Sequence, residues 1–383
     1  MEISNHYSEQ VQELEKILLD RIDDNNGWIP FDHFFNTVMY EPGLGYYSSG
    51  SQKIGVGGDF TTAPEISTYF SKSISRQTIP LLRMHDHPSV IEIGAGRGTF
   101  AFDYLKELEN NDIEIEHYYI LEISADLRDR QIQLISDLPK KIRNKVIWLE
   151  SLDIKPINGL LIANEVIDAL PFKRFTKQNN EIFELGITHL NGELKEMKQE
   201  GSENIKAAIH LIEKEINRHL EDGFNSEIRL DFHKWFKGIS SMINNGSMIF
   251  IDYGYTRNDF YKSERMSGNM ICHHQNEIIE NPLSNLGHQD ISASVDFTQL
   301  ANSAIQEGYF IDLFTSQSSF LLDSESLNIL KEIVSDEERI QEVQKLKQLI
   351  MPNHMGDVFK CMILGKGISA DNFEESHDMT HTL

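Results

Sequence analysis

Between Ser89 and Glu165 the chain alternates short β-type runs, SVIEIG, YYILEI, VIWLE and GLLIANE, with the helical stretches FAFDYLKELE and DLRDRQIQLISDL. No other feature limits the fold as much. Strands separated by helices of this length pair in parallel, and a parallel sheet must be covered on both faces. The block therefore predicts an open, doubly wound α/β sheet. SMIFIDYGY, YFIDLF and VFKCMILG read as later strands, with a helix from Asp296 to Gln306 and two polar-faced helices among them. Upstream, Val11, Leu14, Leu18 and Ile22 recur at helical spacing and predict an N-terminal helical cap. The Gly-rich, aromatic stretch from Pro42 to Glu65 has no core-strand pattern and is expected to form a functional lid. After two strands, LPFKRF and EIFELGI, the charged segment from Ser202 to Ile243 reads as helices. The expected layout is a cap and lid over 1–85, an α/β core over 86–190, an inserted helical lobe over 191–245, the second half of the core over 246–367, and a polar tail over 368–383.

The sharpest local signal is EIGAGRG, Glu92 to Gly98, which follows an apolar strand and opens a helix. Glycines at 94, 96 and 98 permit a tight turn and let a ligand approach the backbone, with Ala95 between them. A dinucleotide fingerprint G-x-G-x-x-G needs glycine where Thr99 stands, whereas E-x-G-x-G-x-G is the spacing of S-adenosylmethionine (SAM) methyltransferases. Glu92 agrees with that choice, since a carboxylate attracts the methionine ammonium and repels pyrophosphate. Glu122 ends the next strand, 24 residues beyond Gly98, where it can accept both ribose hydroxyls. Leu152 and Asp153 are candidates to flank an adenine, Asp153 accepting from its amino group.

The fourth strand runs into NEVIDALP, at the edge where open α/β sheets place reacting groups. Asn164, Glu165 and Asp168 are the candidate catalytic residues there: two carboxylates and an amide suited to orienting a cationic nitrogen nucleophile and accepting its proton. Helix capping by Asn164 and a surface position for Asp168 are the structural alternatives. Asp252 in IDYG is a candidate for the acceptor side or for a buried structural role, and Gln289, Asp290 and Asp296 downstream are polar candidates for the cleft rim or for a turn and helix cap. Cys272, His273, His274 and His288 invite a metal reading, but adjacent histidines on one strand point to opposite faces, so no metal is expected.

Composition excludes several classes. With 35 basic and 60 acidic residues the net charge is −25, which repels nucleic-acid backbones and favours a basic protein target. No apolar run approaches the roughly 20 residues of a membrane span. Two cysteines, no secretory pattern at MEISNHYSEQ and no Arg-rich presequence lead to the expectation of a cytoplasmic protein.

The segments GWIPFDHFFNTVMYEPGLGYYSSG, GVGGDFTTAPEIS, EIGAGRGTF, NEVIDALP, IDYG, NPLSNLGHQDISASVDF, QSSFLL and GDVFK stand in the order and spacing of the MidA-like methyltransferases. The chain resembles that family from about Arg21 to Gly365. The family includes the mitochondrial arginine methyltransferase that assists assembly of respiratory complex I. The resemblance implies a Rossmann-like class I methyltransferase sheet, mostly parallel with an antiparallel last strand, carrying an N-terminal cap and an inserted helical lobe. It implies S-adenosyl-L-methionine as cofactor and a protein arginine, on a complex I subunit in the mitochondrial member, as acceptor. By the same resemblance Gly58, Asp59, Phe60, Thr61, Thr62, Pro64 and Glu65 would close over the methionine end. The chain departs from the family where relatives carry Gly-Thr-Leu-Arg-x-Tyr and it has Gly268, Asn269, Met270, Ile271, Cys272 and His273. The rival functions are a non-catalytic assembly factor, against which the intact EIGAGRG and NEVIDALP argue, and a nicotinamide dehydrogenase, disfavoured by Thr99.

Overall fold

The computed structural model describes residues 2–49, 61–322, 324–352, 354–368 and 378–383, so Gly58, Asp59 and Phe60 of the expected lid lie outside the described residues. The chain divides into two compact units, one of Met1–Phe60, Asp168–Asp231 and Thr256–Ser294, the other of Thr61–Ile167, Phe232–Tyr255 and Val295–Leu383.

The second, larger unit carries the sheet foreseen from the alternation. Its strands are β1 (Ser89–Ile93), β2 (Tyr118–Leu121), β3 (Val146–Leu149), β4 (Ile157–Asn164), β5 (Ile243–Tyr255), β6 (Phe310–Ser316) and β7 (Phe359–Lys366), in the spatial order β6-β7-β5-β4-β1-β2-β3. Neighbours from β5 through β3 pair in parallel, and β7 runs antiparallel to both β5 and β6. The order reverses at β1, where chain direction sends β2 and β3 to one side and β4 and β5 to the other, and at such a switch point a cleft opens at the carboxyl ends. Every residue of β1 is buried, as covering on both faces demands. Phe100, Ala101, Tyr104, Leu105 and Leu108 of the Thr99–Asn110 helix pack into the same core as Val90, Ile120, Leu160, Ile162 and Ile251. Asp296 is a helix cap, accepting from Gln299 N at 3.1 Å.

The first unit is built differently. Its antiparallel sheet joins Ile29–Pro30, Glu181–Leu190, Lys173–Gln178 and Asn225–Ile228, with Glu193–Glu200 paired along Glu181–Leu190. The N-terminal helix spans Glu2–Asp24, and its Leu14, Leu18 and Ile22 share a core with Phe31, Phe34, Phe35 and Phe172. A three-stranded sheet of Glu277–Ile279, Met270–His274 and Asp290–Ala293 completes it.

Two expectations about organisation are corrected. The core does not run to residue 190, because the strands after Ile167 pair antiparallel with one another in the first unit. Nor is 191–245 a helical lobe: strands Glu193–Glu200 and Asn225–Ile228 lie on either side of the Glu203–Glu215 helix, and the Phe232–Ser240 helix belongs to the larger unit. The charged strand ELKEMKQE is almost wholly exposed, so it lacks the apolar alternation by which a strand is read from sequence. Among the described residues no helix is long and apolar enough to cross a membrane.

Candidate functional site

The glycine loop leaves β1 with three left-handed residues, Gly94 at φ 67°, Gly96 at φ 52° and Gly98 at φ 86°. Side chains resist this conformation, and space resists it too. A Cβ on Gly98 would sit 3.1 Å from Gln131 Cγ, and one on Gly94 would sit 3.1 Å from Val166 Cγ2. The second distance has a consequence for layout: the turn after β4 touches the glycine loop. From the other side Glu65 of the TTAPE segment accepts from Arg97 at 3.1 Å and from the Thr99 hydroxyl, tying that segment to the loop. Thr61 is exposed and Thr62 half-buried at the start of this short helical turn.

Glu92 projects from β1 into the core, where it is 4% exposed and accepts a 2.8 Å hydrogen bond from the Tyr118 hydroxyl. Burial pushes its carboxyl up to about 8, against the Tyr118 bond and with help from the Glu122 charge. Glu122, at the end of β2, accepts from Ser124 N at 2.9 Å and from Gln131 Nε2 at 3.0 Å. Gln131 also donates to Gly96 O at 2.8 Å and accepts from Trp148 Nε1 at 2.9 Å. Leu152 is half-buried and Asp153 exposed in the turn after β3, where Asp153 N bonds Ser151 Oγ at 3.2 Å.

At the end of β4, Asn164 donates through Nδ2 to Glu165 Oε1 at 3.2 Å. Glu165 stands at φ 53°, a left-handed position that costs a non-glycine residue about 1–2 kcal/mol. The turn is held from β5. Ile251 O accepts Glu165 N at 2.8 Å, and the Asp252 carboxylate accepts Ile167 N and Tyr253 N, each at 2.9 Å. Asp252 is thus a turn anchor, 1% exposed.

Asp168 belongs to the first unit, where it is 8% exposed and its backbone O accepts Ala293 N at 3.1 Å and Arg229 at 3.1 Å. The buried Arg229 also donates to Ala293 O and Ser294 O and lies over the Phe172 ring. In the same unit Tyr47 donates to Asp290 at 3.0 Å, and burial with the nearby Asp290 and Asp168 charges raises its phenol well above the ordinary range. His273 pairs across the small sheet with Asp290, and Cys272 is buried with its thiol pushed up to about 12. Gln289 donates to Pro282 O at 2.7 Å and Asn281 O at 3.3 Å, as a turn staple does.

The larger unit thus brings together Glu92, Gly94, Ala95, Gly96, Gly98, Glu122, Asn164 and Glu165 at or below the carboxyl edge of one sheet. Sequence reasoning missed Gln131, Tyr118 and Trp148. A signal for Gln131 was present: it falls between Leu127 and Ile135 on the buried stripe of the Ala125–Ile135 helix, where a polar residue needs a partner.

A switch-point loop of left-handed glycines, a carboxylate at the end of the adjacent strand and a reversed final strand define the class I SAM-dependent methyltransferase fold. Residues 73–315 match the model of a family described as "Putative S-adenosyl-L-methionine-dependent methyltransferase", and the chain belongs to that family. It is similar to the "Protein arginine methyltransferase NDUFAF7 homolog, mitochondrial" of Caenorhabditis elegans, at 27% identity over 93% of this chain and 87% of the relative. The human "Protein arginine methyltransferase NDUFAF7, mitochondrial" is 24% identical over 89% of this chain and 80% of its own length. A Burkholderia thailandensis crystal structure bound to S-adenosyl-homocysteine superposes with a TM-score of 0.92 at 29% identity, covering 99% of this chain and 98% of that one. The protein is a SAM-dependent methyltransferase. The cytoplasmic expectation is overturned by the relatives, whose names place them in the mitochondrion. The residues present fit the cofactor: a loop of left-handed glycines that side chains would obstruct and the Glu122 carboxylate are bonded to the same Gln131 amide, in the unit with the methyltransferase sheet.

Proposed function

We propose that the protein methylates an arginine side chain of a protein substrate. The observation that carries this reading is the Asn164–Glu165 turn, a carboxylate held in a left-handed conformation with an amide on one oxygen, beside the cofactor loop. A guanidinium stays protonated at neutral pH and fits a carboxylate fork, so Glu165 orients the acceptor nitrogen and takes its proton. Asn164 holds Glu165 in place, and Asp168 is assigned to the acceptor by its chemistry and its place in NEVIDALP. When bound, SAM supplies a methyl group already activated on a sulfonium. Glu122 accepts from the ribose hydroxyls, and Glu92 faces the ammonium across the loop of Gly94, Ala95, Gly96 and Gly98. Leu152 and Asp153 flank the adenine, and Thr61 and Thr62 stand at the methionine end. The relatives' names, arginine methyltransferases, support the choice of acceptor. A basic segment with an exposed arginine suits a chain of net charge −25, and a respiratory complex I subunit is the first acceptor to test.

The test is mass spectrometry of protein methylation in a deletion strain against its parent, with radiolabelled methyl transfer to the deletion-strain extract. Loss of a specific methylarginine, restored by the added protein, is the expected result. An unchanged arginine methylome with labelling of another residue type would overturn the acceptor.

A further inference from the structure

Gln131 is fully buried, with 0% exposure, on a helix that otherwise presents Leu127 and Ile135 to the core. Burying a primary amide is costly unless its donors and acceptor are matched, so what it bonds is informative. The indole N–H of Trp148 can only donate, so the atom it meets at 2.9 Å must be Oε1. That fixes the other end. Nε2 then faces two acceptors, Gly96 O at 2.8 Å and Glu122 Oε2 at 3.0 Å, and its two hydrogens serve one each. Gly96 belongs to the loop expected at the methionine end of the cofactor, and Glu122 is expected at the ribose.

We infer that Gln131 is a positioning residue for cofactor binding: one amide, its flip state set by Trp148, locks the ribose carboxylate and the glycine loop at a fixed separation. The inference rests on the reading of Glu122 as ribose acceptor. Gln131 touches no cofactor atom in this account; it removes the freedom of two groups that do, which favours binding by reducing the ordering left to be done. Its position under Gly98, whose Cβ site lies 3.1 Å from Gln131 Cγ, also leaves no room for the loop to sink toward the helix.

Gln131→Glu places a carboxylate where a double donor stood, facing Glu122 and a carbonyl. Gln131→Met keeps the volume and removes the bonds. The charged groups on the surrounding elements are Glu92 of β1, coupled to Glu122, Arg97 in the loop, held by Glu65, and Arg128 and Arg130 of the same helix, held by Glu150 and Asp126. None of these changes between the two variants.

Calorimetric titration of the full-length variants with S-adenosylhomocysteine, at several pH values, tests the idea. Gln131→Met is expected to bind about 10-fold more weakly, with the same pH profile as the parent. Gln131→Glu is expected to lose about 100-fold at pH 8 and to regain at least 10-fold by pH 5.5, as the two carboxylates share a proton and one again donates. Loss of packing alone would give no such recovery. Trp148→Phe, which releases the amide to flip, should lose a few-fold, and it serves if either Gln131 variant does not fold. Parent-like affinity in folded Gln131→Glu at pH 8, or equal and pH-independent losses in both variants, overturns the inference. Glu122→Ala separates the two levels. Parent affinity in that variant removes the ribose assignment itself, whereas lost affinity there with parent affinity in Gln131→Glu removes only the role of Gln131.

Discussion

Replacing Glu92 by Gln should make the protein more stable at pH 8 than the parent, and equally stable at pH 4.5. The carboxyl ionises near 4.5 in an unfolded chain and near 8 in the fold, because burial penalises the charged form. Below the lower value it is protonated in both states and adds no pH dependence. Between the two values the folded state keeps a proton that the unfolded state has released, so stability falls as pH rises, by up to about 1.4 kcal/mol per unit. Above the higher value the loss is complete, with a ceiling of about 5 kcal/mol for the whole span. Glutamine keeps an acceptor for the Tyr118 hydroxyl and has no proton to lose, so the penalty disappears while the packing stays. Thermal unfolding of both proteins from pH 4.5 to 8.5 is the assay. At about 2–4 °C per kcal/mol for domains of this size, the variant should gain several degrees on the parent across that range. Saturating S-adenosylhomocysteine, whose ammonium is the proposed partner of Glu92, should narrow the gap by favouring the carboxylate. Melting curves that stay parallel over the whole range, or a variant that falls behind as pH rises, would refute the argument that Glu92 is buried as an acid.

Glu122→Ala removes the charge-assisted bonds proposed to the ribose and Gly96→Val puts a branched side chain at φ 52°, so titration with SAM should show each losing about 1.5–3 kcal/mol of binding; parent affinity in folded Gly96→Val would move the cofactor elsewhere. Glu165→Gln and Asp168→Asn should cut turnover on a verified protein substrate by about 10²–10⁴ where the carboxylate acts as base, while SAM affinity stays near the parent's. Equal losses of affinity and turnover would move the residue to the cofactor side. In the first unit Lys177→Met should destabilise by about 3–5 kcal/mol in chemical denaturation, because Glu213, already bonded to Leu220 N and His219, would be left buried without its cation. A change under 1 kcal/mol would mean that water reaches the pair.

Local pattern in the sequence was enough to foresee the methyltransferase sheet. Periodicity switching between strand and helix marks β1 to β4 and the helices between them, since each element is specified by local spacing of apolar residues. EIGAGRG could be read for the same reason: positive φ is a property of single residues, and only glycine adopts it freely. The place of Glu122, directly after β2, followed from chain distance along one βαβ unit. Tertiary structure decided what depends on distant partners. That Glu92 is only 4% exposed and bonded to Tyr118 could not be read from the motif, because the partner of a residue on a doubly covered strand is set by packing, not by alternation. Asp252 became a turn anchor and Arg229 a staple through bonds to residues 85 and 61 positions away, respectively. The exposed strand Glu193–Glu200 was hidden because a strand held by backbone pairing on an open sheet needs no apolar pattern. The tie from Gln131 to Gly96 and Glu122 existed nowhere in local sequence, because an amide's partners are chosen only when the helix docks.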